Sequence, residues 1–112
     1  MRNHPLESIK KTADFKIVYK LGKAFSNKYF VMYVYPNDKS FARLGLSINK
    51  KIGKAILRNK IRRRIKEFFR LNKHSLVPAD YVVVARISAA KLAAERKYSD
   101  VAKSLALLLE QL

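Results

Sequence analysis

The stretch LRNKIRRRIKEFF, residues 57–69, decides how the chain is read, because it packs six basic side chains between Arg58 and Lys66. On a helical wheel at about 100° per residue, Leu57, Ile61, Ile65, Phe68 and Phe69 fall within an arc of roughly 120°. Arg62, Lys66, Asn59, Arg70 and Arg63 fill the next arc, and Lys60 and Arg64 flank the far side. The segment is therefore an amphipathic helix with one face for a core and the rest cationic. Arg58 lands inside the apolar arc near its end, so it either snorkels outward or the helix departs from ideal at its start. Only Glu67 offers local neutralisation. A helix charged for solubility alone mixes signs and gains i,i+4 pairs, which this one does not. Arginine adds a planar fork that grips phosphate at two points and stacks on bases. The partner implied is a nucleic acid. A basic amphipathic helix can also lie on an anionic bilayer. This one sits mid-chain between strands, where a sheet is expected to cover its apolar face.

On the N-terminal side, residues 12–21 read as a short helix, with Thr12 as N-cap, Asp14 in the first turn and Gly22 to end it. Phe15, Val18 and Tyr19 share one face. KAFSN (23–27) reads as a short edge strand and KYFVMYVYP (28–36) as a longer one. Its Phe30, Met32 and Val34 point one way, and Val31, Tyr33 and Tyr35 the other. ARLGLSI (42–48) is a third strand. The turn at Pro36-Asn37-Asp38 is expected to make it antiparallel to the second. Gly53 precedes the basic helix, which runs to about Leu71. On the C-terminal side, YVVVARI (81–87) is unbroken in apolarity and reads as a strand covered on both faces. A helix separates it from the third strand, so it can pair in parallel with its neighbour. A last helix runs from about Tyr98 to Gln111, capped by Ser99 and striped by Val101, Leu105, Leu108 and Leu112. The expected fold is a single α+β domain over residues 1–112, ordered α-β-β-β-α-β-α, with a four-stranded mixed sheet packed by helices.

The totals agree: 112 residues carry 25 Lys and Arg against 8 Asp and Glu, a net charge of +17, with 49% hydrophobic composition for a core. That balance in so short a chain points to a polyanion. Cysteine is absent, consistent with a reducing compartment. MRNHPLESIKKTADF holds no unbroken apolar stretch, and the longest apolar run, Leu105 to Leu109, is far short of the roughly 20 residues of a membrane span. A cytoplasmic protein without a membrane partner is expected. Helix-turn-helix spacing, a zinc finger and a zipper are all missing, and the strands offer aromatics on which single-stranded RNA can stack, so RNA is favoured over DNA.

The residues 47–70, SINKKIGKAILRNKIRRRIKEFFR, resemble the signature of the bacterial ribonuclease P protein subunit. Ser47, Lys50, Lys51, Gly53, Ala55, Arg58, Asn59, Arg63 and Glu67 meet that pattern. Lys60, Arg62 and Lys66 depart from it with charge retained, although Lys60 and Lys66 lose the two-point fork. The resemblance extends to Asp14-Phe15 and Val18-Tyr19 in the first helix, to Phe30, Val31 and Tyr33 in a strand, and to Ala85-Arg86 at the end of the last strand. It implies a left-handed βαβ crossover through the basic helix. It also implies that hydrolysis is performed by an RNA subunit with Mg²⁺ held mainly by RNA, removing the 5′ leader of precursor tRNA, with no catalytic residue in the protein.

By the same resemblance Arg58, Asn59, Lys60, Arg62, Arg63 and Lys66 face the catalytic RNA, extended by Lys50, Lys51 and Lys54. Asn59 either adds a directional contact or bonds within the protein. Phe15, Tyr19 and Tyr33 match the leader-binding groove, against the alternative that such aromatics simply pack in a core. The eight acids are scattered between Glu7 and Glu110, and His4 and His74 lie far apart, which is not the clustering a protein-held metal needs. Two other classes fit the composition: a ribosomal-type RNA-binding protein, and a nuclease that acts without RNA.

Overall fold

The computed structural model describes residues 6–112, so His4 lies outside the described residues. Its elements are β1 (Glu7–Ser8), α1 (Thr12–Leu21), β2 (Lys23–Ser26), β3 (Phe30–Pro36), β4 (Arg43–Ile48), α2 (Ala55–Leu71), β5 (Ala79–Ala85), α3 (Ala90–Ala94) and α4 (Ser99–Leu109). Single 3₁₀ turns sit at Lys50–Ile52, Lys73–Ser75 and Ile87–Ala89. No helix among the described residues is long and apolar enough to cross a membrane.

The sheet runs in the order β1-β4-β5-β3-β2. β5 takes the centre because every residue from Ala79 to Val83 is buried, which only a strand covered on both faces achieves. It pairs antiparallel with β3 and parallel with β4, and α2 spans the connection from β4 to β5. This corrects the expected antiparallel pairing of residues 28–36 with 42–48. β5 lies between those two strands, and the loop joining them crosses its start. Asn37 organises that crossing, with its amide donating to Asp80 Oδ1 at 2.8 Å and to the Phe41 carbonyl at 3.4 Å. The sheet also has five strands rather than four. Glu7–Ser8 is too short to show alternation, and only its parallel pairing with Arg43 and Leu44 makes it a strand.

β3 alternates as expected, with Phe30, Met32 and Val34 buried and Val31, Tyr33 and Tyr35 half-buried. The buried set, with Leu44, Tyr81 and Val83, meets Ile61, Ile65, Phe68 and Phe69 of α2 and Val101, Leu105 and Leu108 of α4. Each such large side chain contributes about 1.5–3 kcal/mol by leaving water. α1 packs on the opposite face, where Val18 meets Val82 and Ile9.

Helix ends differ from the sequence reading in detail. Lys11, not Thr12, is the N-cap of α1, and Ser99 is the first residue of α4 rather than its cap; neither helix has a side-chain cap. Leu112 is 52% exposed, so the α4 stripe ends at Leu108. Gly22 ends α1 in extended backbone, its N–H donating to the Val18 carbonyl. Gly53 has φ +152°, a conformation that side chains resist, and it sets the turn into α2. Arg58 is half-buried, and its Nε donates to the Gly53 carbonyl at 3.1 Å, so this side chain folds back over the start of α2.

Candidate nucleic-acid interface

α2 presents Asn59, Lys60, Arg63 and Lys66 fully to solvent, with Arg62 half-buried beside them. Lys50 and Lys51 sit on the 3₁₀ turn just before it, where the Asn49 side chain accepts from the Lys51 N–H at 2.8 Å. Lys54 is its N-cap, and the first turn holds no acid. Three lysines at the positive end of a helix dipole oppose its stability, and an anion placed there relieves that repulsion. Asn59 is engaged within the protein, since its Oδ1 accepts from Arg62 Nη1. Two further basic residues of α2 have local partners: Arg64 lies over the Tyr98 ring at 5.1 Å, and Arg70 pairs with Glu67.

The structure brings Phe15, Tyr19 and Tyr33 together. The rings of Phe15 and Tyr19 are 6.4 Å apart, and Tyr19 meets Tyr33 edge-on at 5.0 Å. Strand register defines what lies under them. On the face that carries α1, Ala24, Tyr33, Val82 and Gly45 form one row across the sheet, and Ser26, Val31, Val84 and Ser47 form the next. α1 covers the first row through Val18, Phe15 and Tyr19. In the second row Val31, Val84 and Ser47 are half-buried and lie on the same face of the sheet beside the aromatic wall. Gly45 permits that wall to sit close, because a Cβ there would lie 2.6 Å from Phe15 Cε1.

The two surfaces meet at the β1–β4 edge. A pocket of about 550 Å³ is bounded there by Phe15 of α1, by Gly45 and Leu46 on the sheet, and by Arg62, Lys66, Arg70 and Lys73 on the far side. Arg62, Lys66 and Arg70 are spaced by four residues and share one stripe of α2, and Lys73 lies on the 3₁₀ turn that follows the helix. Lys60 is two residues from Arg62, hence about 160° of rotation away, and serves a different side of the helix. The sequence reading missed Lys73, which follows Lys66 by seven residues and Arg70 by three. It also missed Val31 and Val84, which only register identifies.

Asp14, Glu67, Asp80, Glu95 and Asp100 are tied to bases. Asp80 is buried, at 5% exposure, with Arg43 Nε on its Oδ1 at 2.8 Å and Arg43 Nη2 on its Oδ2 at 2.5 Å. Burial alone would raise this acid, but the Arg43 and Asn37 hydrogen bonds and the Arg43 charge outweigh it and hold the carboxyl below its ordinary value. Glu95 pairs with Lys97, and Asp100 with Lys103. Among the described residues no group of three or more His, Cys, Asp or Glu side chains could hold a metal ion.

Comparison with known proteins gives one consistent result. The family model Ribonuclease P matches residues 4–112. The ribonuclease P protein component of Clostridioides difficile is 43% identical over 101 residues, covering 88% of this chain and 85% of that protein. The component of Clostridium botulinum is 41% identical over 105 residues, covering 92% and 91%. The solved RNase P protein of Staphylococcus aureus superposes with a TM-score of 0.87 at 37% identity over 95% of this chain and 94% of that one. The Thermotoga maritima protein gives 0.86 at 33% identity over 95% and 97%.

Proposed function

The chain belongs to the ribonuclease P protein family, and from that membership we propose that it binds the catalytic RNA through α2 and the precursor-tRNA 5′ leader through the aromatic groove. The observation that carries the proposal is the meeting of the Arg62–Lys66 stripe of α2 with Phe15, the edge of the aromatic cluster, in one pocket at the sheet edge. Lys50, Lys51, Lys54, Arg58, Lys60, Arg62, Arg63 and Lys66 neutralise closely packed phosphates and release their counterions. Asn59 orients Arg62 and keeps its amide NH₂ for the RNA. Phe15, Tyr19 and Tyr33 stack on unpaired leader bases with little demand for sequence, beside Val31, Val84 and Ser47.

Hydrolysis of the phosphodiester belongs to the RNA subunit in this reading, with Mg²⁺ held by that RNA and by the substrate. The protein's acids do not form a set suited to the ion, so no step runs through them. What the protein does is grip the leader and screen repulsion, which favours precursor over mature tRNA. By positioning the substrate it also lowers the Mg²⁺ concentration needed for cleavage; equal Mg²⁺ dependence with and without the protein would remove that clause.

Reconstitution tests the whole reading. The protein is mixed with a bacterial ribonuclease P RNA and 5′-labelled precursor tRNA at low Mg²⁺ and moderate salt. Cleavage at the mature 5′ end by the mixture, and poor cleavage by either component alone, is expected. A mixture no faster than RNA alone refutes it and returns the ribosomal-type reading. Cleavage by protein freed of RNA would establish a protein active site instead.

A further inference from the structure

The groove's aromatic wall stands on a short helix. α1 spans ten residues, buries only Val18 completely and has no side-chain cap. Apolar packing holds α1 on the sheet through Val18 and the half-buried Phe15, while Thr12 and Ala13 at its start are exposed. The first turn also contains Asp14, next to Phe15. Arg43 Nη1 donates to Asp14 Oδ2 at 3.4 Å, while the rest of the guanidinium is anchored on Asp80 of the central strand. Asn37 binds Asp80 Oδ1 at 2.8 Å and so fixes the carboxylate that anchors the arginine. The Arg43 side chain is 16% exposed and that of Asp14 is 29%, so water only partly screens the link.

We propose that Arg43 is a positioning residue for the leader groove: anchored on Asp80, it holds Asp14 and thereby sets Phe15 and Tyr19 against the sheet. The inference rests on the leader-binding reading above. Three nitrogens of one planar fork serve two carboxylates on two elements, which a lysine ammonium could not do from one position. A buried ion pair contributes little net stability compared with apolar side chains of the same volume. Its value here is geometric, because it ties the first turn of α1 to β5 beside Phe15. The plain alternative is that Asp14 merely complements the helix dipole. That role would change stability and leave leader recognition untouched.

Asp14 is the place to test this, since altering Arg43 strips the buried Asp80 of its partner and can unfold the protein. The full chain is assembled with a bacterial ribonuclease P RNA. Affinities for precursor tRNA and for mature tRNA are then measured, and their ratio is the leader preference. D14N is expected to reduce the preference about fivefold, with affinity for mature tRNA and for the catalytic RNA unchanged. D14E, which keeps the carboxylate, is expected to restore most of it. In an F15A background D14N is expected to add nothing, because both changes act on the same wall. A D14N protein with wild-type preference, or additive D14N and F15A losses, overturns the proposal while the leader reading stands. A wild-type assembly with no leader preference defeats the leader reading, and the proposal with it.

Discussion

Replacing Gly45 with alanine puts a methyl carbon 2.6 Å from Cε1 and 2.7 Å from Cζ of Phe15. Carbon atoms rest at about 3.5–4.0 Å, so the ring must withdraw by about 1 Å. Both atoms belong to the far end of a half-buried side chain, which can swing outward. The overpacking cost therefore falls at the low end of the usual range, about 1 kcal/mol. Gly45 does not have positive φ, so alanine fits its backbone and gains about 0.4–1 kcal/mol by restricting the unfolded chain. These terms nearly cancel, and the thermal midpoint should move little. Leader binding should not escape so lightly. Stacking on an aromatic is worth about 1–3 kcal/mol per base, and a wall displaced by about 1 Å forfeits roughly a third to a half of that. The leader preference of the assembled ribonucleoprotein should therefore fall about two- to tenfold. The assay is competition between precursor and mature tRNA, with thermal unfolding as the control. An unchanged preference in a folded G45A protein would refute the placement of Phe15 at the leader. A midpoint lowered by many degrees would show that the ring cannot yield.

Arg63→Gln should flatten the dependence of log affinity for the catalytic RNA on log salt by about 0.7 to 0.9, the share of one phosphate contact; an unchanged slope would remove Arg63 from the interface. Acid stability should depend on Asp80. Its carboxyl is depressed in the folded protein, so its contribution is fully present above the ordinary carboxylate value near 4 and is lost as pH falls through the lowered one. D80N should flatten thermal stability across that acid window, and an undiminished slope would contradict the pairing. Tyr81 should matter at the other extreme. Burial pushes its phenol up to about 12, so the folded state holds a proton that the unfolded state releases from about pH 10. Stability should thus be fully present below pH 10 and fall by about 2–3 kcal/mol as pH rises through 12, whereas Y81F should be flat there. Phenolate absorbance of Tyr81, read as the difference between wild type and Y81F, appearing near pH 10 before unfolding would refute the buried assignment.

The amphipathic helix, the alternation of β3 and the doubly covered β5 were legible because each is a local periodicity of burial, and burial is what side-chain polarity reports. The basic face was legible for the same reason: ten closely spaced cations from Lys50 to Arg70 with one acid among them, Glu67, cannot be mistaken for a core. Placing RNA on that face took more than polarity, and came from family likeness. Pairing was less accessible. Pro36-Asn37-Asp38 reads as a hairpin turn, yet the strands it joins are separated by β5, since the most apolar strand gains most from the central position. β1 has no pattern of its own and exists through its contact with β4.

The chain's sequence by itself determined which residues are charged, which periods they follow and hence which elements form, because those depend on neighbours within a turn or two. Only the tertiary structure decided that Phe15, Tyr19 and Tyr33 converge, that Arg43 bridges Asp14 and Asp80, and that Arg62 and Lys66 meet Phe15 at one sheet edge. Those contacts join segments tens of residues apart. They follow from strand order and register, which are set by the summed burial of the whole sheet and leave no mark in any single window of sequence.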